Sequence, residues 1–289
     1  MFAVLLRLGR MSKPFSQVDV FTDEAFRGNP VAVVHEADGL DEATMAAFAR
    51  WTNLSETTFM LEPTPQGRAG GADYRLRIFT PGGELPFAGH PTLGSAWAWL
   101  QAGGVPAGER IVQECGVGLI DVRLEGDRLA FAAPELLRSG PVDDATLAQA
   151  LASLGLGSCE GAAWVDNGPG WLGVLVPDAE TVLGLRPDFA VMGDLKLGVI
   201  GRYPDGAPAD VEVRAFVPTL GAAEDPVTGS LNAGLALWLI DSDELPEHYV
   251  ASQGTALGRA GRVHIDREDG QVWVGGRSTV RIRGTLALD

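Results

Sequence analysis

A glutamate in apolar company is the first candidate for chemistry in this sequence. Glu56 lies in the segment TNLSETTFML, between Leu54 and Phe59. Apolar surroundings disfavour the charged form of a carboxyl group and raise its pKa, which suits a group that takes a proton and returns it near neutral pH. Most glutamates are ordinary surface residues, so Glu56 needs partners before it can be assigned an acid/base role.

Three further candidates lie in two glycine-containing loops. His90 lies in the segment GHPT at a predicted helix start, where the positive end of the helix would keep the imidazole neutral and able to donate a hydrogen bond. Asp225 lies in the segment EDPVTGS, and Ser230 takes the place of His90 in that second loop. Each residue also has a structural interpretation, as a buried histidine, a turn-forming aspartate and a helix-capping serine.

The two loops belong to an internal repeat. The segment PFAGHPTLGSAWAWL from Pro86 resembles PVTGSLNAGLALWLI from Pro226 at an offset of 140 residues (226 − 86). Shortly before, RIFTP from Arg77 resembles RAFVP from Arg214 at an offset of 137 residues (214 − 77). Each half is therefore predicted to contain a strand, a glycine turn and an apolar helix in this order. Chance similarity between two amphipathic segments is the alternative.

Glycines at the start of both repeated helices predict an anion site. Gly89 and Gly229 precede the two apolar stretches, and the free backbone N–H groups and positive dipole end of a helix bind anions. Two pseudo-symmetric halves would direct two such ends at one cleft, which creates a positive pocket for a carboxylate without lysine or arginine. Alternatively, the glycines only make tight turns.

The elements that must position these loops are short strands that alternate with helices. The predicted elements are strands over residues 15–22 and 30–35, a helix over 41–51, a strand over 74–80 and a helix over about 92–100. Asp41 is the expected cap of the first helix, and Met45, Phe48 and Ala49 share its apolar face.

Composition excludes several classes of protein. The chain has 289 residues, with 22 basic and 38 acidic side chains, so its formal net charge is −16. This charge opposes binding to nucleic acid and to anionic membranes. Cys115 and Cys159 are the only cysteines, which excludes a disulfide scaffold and predicts a reducing, cytoplasmic setting. No apolar run reaches the roughly 18 residues of a membrane-spanning helix, and residues 2–8 are interpreted as an extension that is not a signal peptide.

Familiar cofactor and metal motifs do not fit the sequence. GPGWLG, at residues 168–173, has the spacing of a dinucleotide loop but runs into a strand-like segment, so it is predicted to be a turn. The sequence has no P-loop and no nucleophile elbow. Its four histidines lack the spacing of metal ligands, so no metal site is predicted. Lys196, one of two lysines, has neighbours that give no support for Schiff-base chemistry.

As a set, these residues resemble the PhzF family, the phenazine-biosynthesis isomerase-like proteins of the diaminopimelate epimerase-like superfamily. The matching segments are VDVFTDEAFRGNPVAVV from Val18, NLSETTFML from Asn53, RIFTPGGELPFAGHPTLGSAW from Arg77 and EDPVTGSLNAGLALWL from Glu224. They are long, occur in the family's order and spread over most of the chain.

The resemblance implies an α+β fold of two pseudo-symmetric halves, each a curved β-sheet or barrel around a central helix, with the active site between them. The halves are predicted at residues 12–127 and 128–289, with a last strand that can return to the first half. A homodimer without a cofactor is also implied. Related epimerases have a cysteine in each glycine loop, whereas this chain has His90 and Ser230, so a two-cysteine mechanism is not expected.

In the best-understood activity of the family, the glutamate that corresponds to Glu56 of this sequence moves a proton during isomerisation of trans-2,3-dihydro-3-hydroxyanthranilate. The predicted function here is likewise a cofactor-independent isomerase acting on a small unsaturated or amino carboxylic acid, with Glu56 as the acid/base and His90 and Asp225 orienting the substrate. The predicted donors to the substrate carboxylate lie near Gly89, Gly229 and Ser230. One alternative is a non-catalytic protein that binds a small carboxylate in the same cleft, and another is a structural dimer with a vestigial site.

Overall fold

The computed structural model describes residues 12–218 and 223–288. Its eighteen strands are linked by hydrogen bonds into one continuous sheet, and its helices lie within and around that sheet. The extension at residues 2–8 lies outside the described residues.

The first half of the described chain contains the elements that hold Glu56, Gly89 and His90. Its strands are β1 (Ser12–Val20), β2 (Asn29–Val34), β3 (Glu56–Leu61), β4 (Tyr74–Thr80), β5 (Gly83–Leu85), β6 (Ile111–Cys115), β7 (Gly118–Glu125) and β8 (Arg128–Ala132). Its helices are α1 (Glu42–Thr52), α2 (Pro65–Ala69) and α3 (Gly89–Gln101).

The second half has a similar order of elements. Its strands are β9 (Arg138–Pro141), β10 (Gly161–Asp166), β11 (Trp171–Asp178), β12 (Lys196–Arg202), β13 (Val211–Phe216), β14 (Glu224–Asp225), β15 (His248–Gln253), β16 (Gly261–Glu268), β17 (Gln271–Gly276) and β18 (Ser278–Ala287). Its helices are α4 (Asp144–Leu154), α5 (Ala179–Gly184), α6 (Phe189–Met192) and α7 (Gly229–Asp241), with a short 3-10 turn at Thr255–Leu257.

The same order of strand pairings occurs in both halves. In the first, β1 pairs antiparallel with β2, β2 parallel with β3, β3 antiparallel with β4, and β4 antiparallel with β5 and parallel with β6. In the second, β10, β11, β12, β13, β14 and β15 pair in the corresponding way. Strand β8 begins just after the predicted boundary at residue 127 but packs on α3, so it is counted with the first half. It pairs with β17 of the second half, and the last strand, β18, pairs with β1. The fold class predicted from the sequence is confirmed.

Each half is built around a helix that is apolar on almost every side. Helix α3 packs on β1, β2, β3, β8 and β18, while α7 packs on β10, β11, β16 and β17. Leu231, Leu235 and Leu239 of α7 are fully buried. Fully burying one leucine side chain stabilises the fold by about 1.5–3 kcal/mol, so these central helices hold the surrounding sheet in place.

Local sequence signals located most of the predicted elements correctly. Helix α1 begins after Asp41, whose side chain accepts a hydrogen bond from the Thr44 amide. Strand β4 occupies the predicted residues. Helix α3 begins at Gly89, three residues earlier than predicted, because Pro91 is tolerated in a first helical turn, where its missing N–H has no partner to lose.

Among the described residues, no helix combines the length and apolar character that a bilayer crossing requires. Cys115 and Cys159 are both free and half-buried, and burial raises the pKa of each thiol. The described part of the chain also contains no group of three or more His, Cys, Asp or Glu side chains placed to hold a metal ion.

Candidate active site

The first residues of α3 and α7 lie against each other at the centre of the molecule. A Cβ atom added to Gly89 would lie 3.0 Å from the Gly229 Cα, and one added to Gly229 would lie 3.0 Å from the Gly89 Cα and 3.2 Å from the His90 amide nitrogen. Carbon atoms in contact normally lie about 3.5–4.0 Å apart. The two helix ends can therefore meet this closely only because both positions lack a side chain.

Neither of these helix ends is capped by a side chain. The N-cap residues are Ala88 for α3 and Thr228 for α7, and neither makes a capping hydrogen bond. The Thr228 hydroxyl donates instead to Asp225 Oδ2 at 2.5 Å. The first backbone N–H groups of a helix have no partner within the helix, so two uncapped ends side by side form a positive site that suits a carboxylate.

Glu56 is the first residue of β3, beside Val31 of the parallel strand β2. Its Oε2 atom lies 3.4 Å from Nε2 of His90, and the two side chains are 15% and 4% exposed. Neither atom has a hydrogen-bond partner among the described residues. Polar atoms that are buried without a partner are costly, and here they are positioned to interact with each other or with a bound molecule.

Burial changes the proton affinities of this pair in opposite directions. Desolvation raises the pKa of Glu56 well above its ordinary value, and the nearby negative charge of Asp225 raises it further. Desolvation lowers the pKa of His90 to about 3, although a hydrogen bond to the backbone of Pro30 acts in the other direction. His90 is therefore neutral at physiological pH, while Glu56 holds a proton more readily than an ordinary glutamate.

Asp225 is held between the two halves of the molecule. Asn29 Nδ2 donates to Asp225 Oδ1 at 3.2 Å, and the Ser55 hydroxyl lies 3.4 Å from the same oxygen. Burial raises the pKa of Asp225, although hydrogen bonds from Thr228, Asn29 and Ser55 reduce this effect. The preceding residue, Glu224, forms a buried ion pair at 2.7 Å with Arg214, which fixes the strand that carries Asp225.

The start of α7 is held from the other side of the cleft. Trp171 Nε1 donates to the Ser230 hydroxyl at 3.1 Å, and Asn167 Nδ2 donates to the Ser230 carbonyl at 2.9 Å. The turn predicted at residues 168–173 is confirmed only over residues 168–170, which join β10 to β11, whereas residues 171–173 already belong to β11. Gly168, Pro169 and Trp171 form one wall of the cleft.

A cavity of about 310 Å³ opens onto these residues. Glu56, Asp225 and Ser230 line it directly, together with the two N-cap residues of the central helices. His90 lies behind Glu56 and is almost completely buried. The structure thus brings all the predicted site residues together: Glu56, Gly89, His90, Asp225, Gly229 and Ser230.

Sequence reasoning missed three residues of this site. Asn29 donates to the Val227 carbonyl at 2.8 Å and lies 3.4 Å from His90 Nδ1, so it links the two halves. The indole of Trp171 holds Ser230, and Lys196 lines the cavity. Lys196 could have been found from the repeat, because it follows Glu56 by 140 residues, the offset that separates the two glycine loops.

Comparisons with known proteins agree over nearly the whole chain. The family model described as phenazine biosynthesis-like protein matches residues 18–285. The trans-2,3-dihydro-3-hydroxyanthranilate isomerase of Pseudomonas aeruginosa is 34% identical over 256 residues, which cover 87% of this chain and 89% of that protein. A second relative, antisense-enhancing sequence 1 of Schizosaccharomyces pombe, is 35% identical over an alignment of 295 residues, gaps included. The alignment covers 93% of this chain and 97% of that protein.

Solved structures give the same result. The crystal structure of a phenazine biosynthesis protein of the PhzF family from Enterococcus faecalis has a TM-score of 0.76 and 29% identity, and the match covers 96% of this chain and 99% of that one. A hydroxyproline epimerase from Agrobacterium vitis has a TM-score of 0.59 at 14% identity, covering 98% and 94% of the two chains. This second likeness concerns the fold alone.

Proposed function

This chain belongs to the PhzC-PhzF family of phenazine biosynthesis-like proteins, and on that premise we propose that it is a cofactor-independent isomerase that moves a proton within a small unsaturated or amino carboxylic acid. One observation carries the proposal. A carboxyl group with a raised pKa, Glu56, lies 3.4 Å from neutral His90 and lines the same cavity as the N-cap residues of two abutting helices.

The substrate carboxylate binds at the paired helix ends. The donors are backbone N–H groups near Gly89, Gly229 and Ser230, which are fixed before the substrate arrives and require no reorganisation during the reaction. A preorganised donor of this kind is worth on the order of 3 kcal/mol to the transition state. Negative charge that develops on the substrate in the transition state is therefore stabilised by the positive site.

Glu56 carries the proton. As a carboxylate it removes a proton from an acidic C–H group, and the electron pair left behind spreads through the conjugated system toward the substrate carboxylate. Protonated Glu56, whose carboxyl proton can exchange with solvent, then delivers a proton to another carbon as the double bonds shift. Substrate and product have the same atoms and electrons, so the reaction needs no other reactant. The raised pKa of Glu56 suits both steps, because the group must lose and regain its proton within each turnover.

His90 positions Glu56 from behind the cavity lining, and Asp225 orients the substrate. Neutral His90 can hydrogen-bond either form of Glu56, while Asp225 lines the cavity and can accept a hydrogen bond from a substrate amine or hydroxyl. Hydrogen bonds from Asn29, Ser55 and Thr228 already fix the position of Asp225.

Deuterium exchange tests the role of Glu56. The wild-type protein, incubated in D₂O with trans-2,3-dihydro-3-hydroxyanthranilate and a panel of small unsaturated carboxylic acids, is expected to introduce deuterium into at least one of them. The Glu56→Gln variant keeps the size of the side chain but cannot carry the proton, so we expect no exchange. Glu62→Gln, just beyond the other end of β3 and exposed, is the matched control and should exchange at the wild-type rate.

The outcomes separate the candidate functions. Full exchange by a correctly folded Glu56→Gln variant would remove Glu56 from the role. A wild-type protein that binds these acids, exchanges none of them and keeps its affinity in Glu56→Gln is the non-catalytic carboxylate-binding protein.

A further inference from the structure

Lys196 is the counterpart of Glu56 in the second half of the molecule. Glu56 begins β3 and lies beside Val31 of the parallel strand β2, while Lys196 begins β12 and lies beside Trp171 of the parallel strand β11. Both pairs are separated by 140 residues (196 − 56 and 171 − 31). The internal repeat relates Glu56 to Lys196 as it relates the two helix ends to each other. Glu56 and Lys196 therefore lie on opposite sides of these helix ends, and both residues line the same cavity.

Within residues 12–218 and 223–288, the Lys196 ammonium group has no negative partner. Its Nζ atom donates to the carbonyl of Pro169 at 2.5 Å, and none of the ion pairs among these residues includes it. An ammonium group has three donors, so two remain for a ligand. Lys196 is also the one basic side chain among the described residues that line the cavity.

A cation without a counter-ion at a ligand cavity is unusual in a chain with a net charge of −16. Neither acidic group of the cavity pairs with Lys196: Asp225 accepts hydrogen bonds from Asn29 and Thr228, and Glu56 Oε2 faces His90 Nε2 at 3.4 Å. Hydrogen bonds between a charged donor and a charged acceptor are about twice as strong as neutral ones. The free donors of Lys196 therefore favour a negatively charged group on the ligand.

We propose that Lys196 binds a second carboxylate of the substrate, so that this protein acts on a small dicarboxylic acid. One carboxylate lies at the ends of α3 and α7 and the other at Lys196, with the carbon that exchanges its proton facing Glu56. The cavity volume of about 310 Å³ is at the lower end of the range for small-molecule sites, roughly 300–1,000 Å³, which restricts the ligand to a compact acid. This inference rests on the proposed function for the position of the first carboxylate.

Lys196 also ties down the turn that contains Pro169, and a purely structural role must be separated from ligand binding. The second lysine of the chain provides the control. Lys13 donates to two backbone carbonyls, those of Glu36 at 2.5 Å and Asp38 at 3.1 Å, at an exposed position outside the cavity. Replacing either lysine with methionine removes a backbone contact, but only Lys196→Met removes a charge from the cavity.

Binding of aromatic acids tests the proposal without turnover. Calorimetric titrations would compare benzoate with phthalate, isophthalate and terephthalate, which present a second carboxylate at three distances. The wild-type protein is expected to bind one of the dicarboxylates at least tenfold more tightly than benzoate. In Lys196→Met this preference for the dicarboxylate should disappear, while the affinity for benzoate stays within about twofold of the wild-type value. Lys196→Arg should keep most of the preference, and Lys13→Met should match the wild type.

Three results would overturn the proposal. The first is a wild-type protein that binds benzoate more tightly than every dicarboxylate. The second is a Lys196→Met variant that keeps the preference, and the third is a variant that loses benzoate and dicarboxylate equally, which assigns Lys196 to the turn alone. If the wild type binds none of the four acids, the carboxylate site of the proposed function fails as well. Deuterium exchange by Glu56 is measured separately and does not enter this comparison.

Discussion

Replacing Gly89 with alanine should disturb both the stability of the protein and its anion site. The new Cβ atom would lie 2.6 Å from Cζ and 2.8 Å from Cε1 of Phe131, as well as 3.0 Å from the Gly229 Cα. Phe131 is fully buried and packs edge-on against Phe87, with the ring centroids 5.5 Å apart. The ring therefore has no free space to move into, and the helix end must shift.

The size of the effect follows from these distances. An overlap of roughly 1 Å with the ring is a case of overpacking, which costs about 1–3 kcal/mol. Alanine favours a helix over glycine by about 1 kcal/mol, which offsets part of that cost, so the expected net loss is about 0–2 kcal/mol. Gly229→Ala contacts only backbone atoms at 3.0–3.3 Å and should lose less.

Urea unfolding would measure the free energy of unfolding of three variants: Gly89→Ala, Gly229→Ala and Gly184→Ala. We expect the largest loss for Gly89→Ala and a smaller one for Gly229→Ala. Gly184, at the end of α5, has no atom within 4 Å of its virtual Cβ, so its replacement should leave stability unchanged or raise it by about 0.4–1 kcal/mol. Thermal stabilisation by benzoate should also shrink in the first two variants, because their helix ends no longer meet. A Gly89→Ala variant that unfolds at the wild-type urea concentration and keeps its benzoate response would refute the close helix contact.

Two further predictions concern buried charge. Because the pKa of Glu56 is raised in the folded protein, the stability contributed by its protonated form is fully present at acidic pH and is lost as the pH rises through the folded pKa. Glu56→Gln should therefore gain stability relative to the wild type as the pH rises above the ordinary glutamate pKa of 4.5, and a difference that is constant with pH in urea unfolding would contradict the raised pKa. Arg214→Met should lower the free energy of unfolding by about 3–5 kcal/mol, because it leaves Glu224 buried and unpaired. Arg77 is the repeat counterpart of Arg214, and its partners Glu42 and Glu84 are 72% and 36% exposed, so Arg77→Met should lose less than half as much. Equal losses in calorimetric or urea unfolding would argue against a special role of the buried pair.

Elements with strong local signals were predictable from the sequence. The cap at Asp41 and the alternation of Tyr74–Thr80 depend on neighbouring residues, and both were located correctly. The meeting of Gly89 and Gly229 was also within reach, because the repeat implied two equivalent helix ends. It is the repeat, more than any single motif, that carried the prediction of the site.

Contacts between residues distant in sequence were not predictable in the same way. Asn29 donates a hydrogen bond to the Val227 carbonyl, 198 residues away along the chain. Nothing in the sequence around Asn29 indicates that partner. The immediate neighbours of Lys196 give no signal of its place in the site, because that place depends on the pairing of β12 with β11. In both cases the sheet decides which side chains meet.

The pairing of β1 with β18 sets an order of events during synthesis on the ribosome. Ser12 lies opposite Ala287 and Val20 opposite Ser278, so the edge of β1 that faces β18 stays open until β18 has left the exit tunnel. Exposed strand edges recruit other chains. A nascent or truncated polypeptide that lacks β18 therefore exposes this edge and should aggregate more readily than one that contains it.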